Sequence, residues 1–69
     1  MANLYFMHSN GTQSLVKPNV SYDYLIFEVM KDLKKRNPDF KSHYQRVWDD
    51  DKGWTWVDVG SHTEFYLLY

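Results

Sequence analysis

Apolar and polar positions change their spacing along the chain, and each change marks an element. Leu4-Tyr5-Phe6-Met7 is a short aromatic run followed by Ser9-Asn10-Gly11, residues that tolerate positive φ, so it predicts a first strand ending in a turn. Residues 11–20 are small or polar around Pro18 and keep neither a strand nor a helix period. They predict a connector, with a short extended piece at Leu15 and Val16. Over residues 21–36 the period becomes helical: Tyr22, Ile26, Val29 and Leu33 form one stripe, Leu25 and Met30 widen it, and Asp23, Lys31, Asp32 and Lys35 lie largely opposite. Ser21 suits the N-cap, Lys34, Lys35 and Arg36 complement the negative end of the helix dipole, Asn37 suits a left-handed cap, and Pro38 cannot continue the helix.

A strand pattern then takes over. Residues 43–49, 54–59 and 62–69 are rich in Tyr, Trp, Val, Phe and Thr and are separated by Asp50-Asp51-Lys52-Gly53 and Gly60-Ser61, which predicts a three-stranded meander. A type I turn with Gly53 in a left-handed bulge position sets Trp48 opposite Trp56, Arg46 opposite Asp58 and Val47 opposite Val57. The fold class expected is α+β, in the order β-α-β-β-β, with one helix on one face of a small, mostly antiparallel sheet and residues 1–69 forming a single small domain. The first strand fits either beside the last or at an edge.

Alternation places Val47, Val57 and Val59 on one side of the meander and Arg46, Trp48, Trp54, Trp56 and Asp58 on the other. One helix covers one side. Compact valines suit the space beneath Ile26, Val29 and Leu33, whereas indoles with a polar N–H suit a half-wet surface, so the tryptophan side is expected to face outward. The competing packing puts the indoles beneath the helix. In the last strand Phe65, Leu67 and Tyr69 alternate with Tyr66 and Leu68, so both sides are apolar, as in a strand buried on both faces.

Composition narrows the function classes. The 69 residues are 43% hydrophobic and 25% charged, with eight Lys plus Arg against nine Asp plus Glu, the balance of an ordinary compact domain whose core supplies on the order of 3–10 kcal/mol. Zero cysteines remove disulfides and thiolate metal sites. A net charge of −1 argues against a dedicated duplex-nucleic-acid binder. No apolar run approaches a membrane span and no leader pattern opens the chain, so a cytoplasmic protein without membrane contact is expected. The anomaly is 19% aromatics.

His8, His43 and His62 have no metal-ligand spacing, the serines sit in no nucleophile elbow, and three glycines form no phosphate loop. No catalytic, metal-binding or cofactor-binding residue and no cofactor is therefore expected. Asp49-Asp50-Asp51 lacks the alternating ligands of a calcium loop and reads as turn chemistry or an acidic rim. The expected function is a small non-enzymatic protein-binding module, homodimeric or an inhibitor of a larger partner, that acts through Trp48, Trp54, Trp56 and Tyr66 with Asp49, Asp50 and Asp51 at the rim. Its size class suits the accessory proteins that viruses and mobile elements encode. The alternative is a single-stranded nucleic-acid binder that stacks bases on the same aromatics and holds phosphates with Lys34, Lys35 and Arg36.

Overall fold

A computed structural model describes residues 2–41 and 44–69, so His43, at the start of the expected third strand, lies outside the described residues. The hairpin of β3 (Arg46–Asp49) and β4 (Thr55–Asp58) has the expected register: Arg46 pairs with Asp58, Val47 with Val57, Trp48 with Trp56 and Asp49 with Thr55. Gly53 adopts φ 82°, a left-handed conformation that suits glycine, and its N–H donates to the Asp50 carbonyl at 3.1 Å to close the turn. Asp49 and Asp50 add side-chain bonds at the same turn.

β5 (Phe65–Leu68) pairs antiparallel with β4 on one side and with β1 (Ala2–Met7) on the other, and the strand order is β2-β1-β5-β4-β3. The first strand thus lies beside the last, and the last is central. That position accounts for its double-sided apolar pattern, because Tyr66, Leu67 and Leu68 are all buried.

The connector expected over residues 11–20 is instead a strand, β2 (Gln13–Val20), so the element order is β-β-α-β-β-β within the expected α+β class. Its period is broken because it is an edge strand with two irregularities against β1, and Pro18 falls within one of them, between the Leu4–Lys17 and Ala2–Val20 pairs. An edge tolerates the missing N–H of proline where a central strand would not.

The chain enters its helix through a 3-10 turn, Tyr22–Tyr24, ahead of α1 (Leu25–Arg36). Such a turn winds more tightly, so Tyr22 leaves the stripe and is 62% exposed, while Leu25, Val29 and Leu33 are buried. Ser21 caps with its backbone carbonyl, which accepts from the Tyr24 N–H at 3.1 Å, and its hydroxyl makes no cap bond. Asn37 has φ −147° rather than a left-handed conformation, and its N–H donates to the Leu33 carbonyl at 2.9 Å.

α1 packs against Leu4, Phe6, Val20, Val57, Val59, Tyr66 and Leu68. The valine side of β4 is therefore the covered one, as expected, while Val47 on edge strand β3 remains 38% exposed. The buried Tyr66 hydroxyl donates to Asp32 Oδ2 at 2.8 Å, the same oxygen accepts from Arg36 Nε at 2.5 Å, and the guanidinium lies 4.1 Å from the Phe6 ring centroid. Burial and then the Asp32 carboxylate push the Tyr66 phenol far above its ordinary range. Among the described residues, no helix is long and apolar enough to cross a membrane.

Candidate functional site

The sheet face away from α1 carries no second layer of secondary structure among the described residues. Register and alternation determine what it displays. Trp48 and Trp56 face each other across the hairpin, and Leu67 of β5 pairs with Trp56 on one side and with Tyr5 on the other. Phe65 and Leu67 of β5 and Tyr69 just beyond its end therefore share the tryptophan face, with Tyr5 added from β1.

The aromatic rings of this face lie against one another. Tyr69 stacks on Trp54 at 4.2 Å between centroids with planes 10° apart, and on Tyr5 at 4.7 Å and 23°. Trp48 and Trp56 are parallel within 7° at 6.0 Å, and Phe65 meets both edge-on, at 6.5 and 5.7 Å. Nearly parallel rings at the shorter separations overlap face to face, so their π surfaces are occupied by each other. Cations cover further faces: the Arg46 guanidinium lies 5.3 Å from Trp48, and the Lys52 ammonium 5.0 Å from Trp54. Leu67, flanked by Tyr5 and Trp56, is 0% exposed without any helix above it. The layer is a pre-packed aromatic surface that remains open to solvent, with Trp48 37% and Tyr69 38% exposed.

Asp50 anchors one corner. Its Oδ1 accepts from the N–H groups of Lys52 (2.9 Å) and Trp54 (3.0 Å), and its Oδ2 accepts from the Trp56 indole at 2.8 Å. Those bonds, led by the indole, hold the Asp50 carboxyl below its ordinary range. Asp49 accepts from the Thr55 hydroxyl at 2.7 Å, and Asp51 is exposed at the turn. Two of the three rim aspartates thus also shape the hairpin, which matches the turn chemistry read from their sequence.

The sequence-derived site needs one correction. Tyr66 is not on this face: it pairs with Val57, points beneath α1 and is 0% exposed. Trp48, Trp54 and Trp56 do share the face, but sequence reasoning missed Tyr5, Phe65 and Tyr69. The signal was available for two of them, since either a short or a longer turn after β4 that keeps the β5 pairing parity sets odd-numbered residues of β5 beside Trp54 and Trp56. Tyr5 had no such signal, because its neighbour comes from the other end of the chain. Lys34, Lys35 and Arg36 lie on α1, across the sheet from the indoles, with Arg36 held by Asp32.

A concavity of about 520 Å³ lies on the helix side, lined by residues that include Phe6, Leu33, Arg36, Phe40 and Glu64. Its guanidinium is already engaged by Asp32 and Phe6, and Glu64 accepts from the Ser61 hydroxyl at 3.3 Å. It holds none of the outward aromatics. No protein family, curated protein or solved structure matches this chain.

Proposed function

We propose that this chain is a small non-enzymatic protein-binding module whose contact surface is the open aromatic face of the sheet, centred on Trp54, Trp56, Tyr69 and Trp48, with Asp51 at the rim. The observation that carries this reading is the packed aromatic layer lying opposite the helix-covered core. Ring-on-ring contacts hold the side chains in place before a partner arrives, so little rotamer entropy remains to be lost on binding, and Trp and Tyr combine large area with a polar tip. Another protein or a second copy is the partner class, and an accessory or inhibitory role suits the size of the chain.

Two features weigh against base stacking as the principal activity. Ring faces of Trp54, Tyr69, Tyr5 and Trp48 that a nucleobase would use are taken up by neighbouring rings or cations, and Lys34, Lys35 and Arg36 are on the opposite side of the molecule.

The test is capture from a source proteome with wild type, Trp54→Ala and Tyr69→Ala as parallel baits, each checked for a cooperative melt. A protein partner retained by the wild type is expected to lose roughly tenfold or more in affinity with either variant. A partner held equally by all three baits overturns the assignment to this face. Quenching of indole fluorescence by oligonucleotides at low salt, reversed by added salt, would replace it with the nucleic-acid reading.

A further inference from the structure

The two edges of the sheet differ. Edge strand β2 is broken by two register irregularities and by Pro18, devices that discourage pairing with another strand. Edge strand β3 has neither: Arg46–Asp49 is regular, and all four residues are exposed. Which of its backbone groups face outward follows from the turn. Asp50 N–H donates to the Trp54 carbonyl at 2.9 Å, which marks Asp50–Trp54 as a hydrogen-bonded pair. Bonded and non-bonded pairs alternate in an antiparallel ladder, so Trp48–Trp56 and Arg46–Asp58 are bonded pairs as well. The N–H and C=O groups of Val47 and Asp49 therefore point away from β4, out of the sheet. A concave strip lined by Arg46, Val47 and Trp48 runs along this edge.

We infer that this edge pairs with β3 of a second copy, antiparallel about a two-fold axis that passes between Trp48 and the partner's Trp48. In that register Val47 lies opposite the partner's Asp49, and their outward backbone groups form reciprocal hydrogen bonds. Trp48 and its counterpart occupy a non-hydrogen-bonded position, where side chains approach most closely, and continue the Trp56–Trp48 stack across the axis. Arg46 falls opposite the partner's Asp50, twice over by symmetry. Charge complementarity favours a second copy over an arbitrary strand: a carboxylate offers about four acceptor positions, and three of those on Asp50 are filled by Lys52, Trp54 and Trp56. The two sheets become one, with both aromatic faces on the same side. This pairing uses an edge, so it stands whether or not the face itself binds a protein.

The chain has no cysteine, which allows a direct test. Cross-strand cysteines at a non-hydrogen-bonded pair sit at about 4.5 Å between Cα atoms, within disulfide range. Under mild oxidation Trp48→Cys is expected to cross-link to itself roughly tenfold faster than Leu15→Cys, placed on the other edge strand. Sedimentation of the wild type at roughly 100 μM should give about twice the 8.4 kDa chain mass, and a folded Arg46→Glu should lower it to one chain. A monomeric wild type overturns the proposal. So does cross-linking as fast from Leu15→Cys or Val47→Cys, and so does a dimer that survives Arg46→Glu yet dissociates with Tyr69→Ala, which would place the contact on the face.

Discussion

At the scale of the residue, Asp50 shows how one side chain can serve both local and tertiary structure. It closes the β3–β4 turn through two backbone N–H groups and fixes Trp56 through the indole N–H. Its folded pKa lies below the unfolded value, so its contribution is present at neutral pH and is lost as pH falls through the ordinary carboxylate range to the folded value. Asp50→Asn should melt below the wild type at pH 7, and the gap should narrow as pH falls below about 4, where the unfolded carboxyl takes up its proton before the folded one does. Thermal melts followed by Trp fluorescence check this, and a gap constant with pH would mean that the charge contributes nothing. Tyr66 teaches a different lesson. Phe65, Tyr66 and Tyr69 are available in and just after the last strand, and amino-acid type alone does not say which enters the core. Pairing parity does, by setting Tyr66 beside Val57 beneath the helix.

At the scale of the element, the β3–β4 hairpin was legible because turn chemistry and side-chain pairing agree. Gly53 requires its left-handed backbone, and the resulting register matches valine with valine, indole with indole and Arg46 with Asp58. The last pair is separated by 3.7 Å, with Arg46 largely exposed and Asp58 nearly buried. A double-mutant cycle over Arg46→Ala and Asp58→Ala should yield a coupling of roughly 0.2–1 kcal/mol in urea denaturation, and additive effects would show that the pair makes no net contribution. Helix α1 was equally legible in its body, where Leu25, Val29 and Leu33 recur on one face. Its ends were less so, because a 3-10 entry and a non-left-handed Asn37 depend on how the flanking chain leaves the helix. β2 was not legible. Its irregular pairing erases the period-two pattern, and it is a strand because β1 offers it a partner.

For the whole molecule, one helix and a five-stranded sheet leave an asymmetric object. One sheet face is sealed by α1, and the other is covered by its own aromatic side chains. Leu67 measures how well that second layer packs, since it is fully buried with only side chains to shield it. Leu67→Ala is expected to destabilise by about 2–5 kcal/mol, as in a conventional core, by urea denaturation. A loss below about 1 kcal/mol would show a loose layer that water enters readily. The same packing lets the face be close-packed while open: neighbouring rings exclude water from one another before any partner does.

Sequence by itself determined the α+β class, the helix stripe, the hairpin register and the division of valines and tryptophans between the two sides of the hairpin, because each rests on periods and turns that act over a few residues; which side the helix covers was left between two packings until the tertiary structure decided it. Tertiary structure alone decided that β1 inserts between β2 and β5, that β2 is a strand, and that Tyr5 joins Trp54 and Tyr69 in one stack. These choices join segments from opposite ends of the chain. Which distant strands pair depends on the total apolar surface buried once every face is assigned, weighed against the entropy of closing the loops between them, and no local window contains that sum.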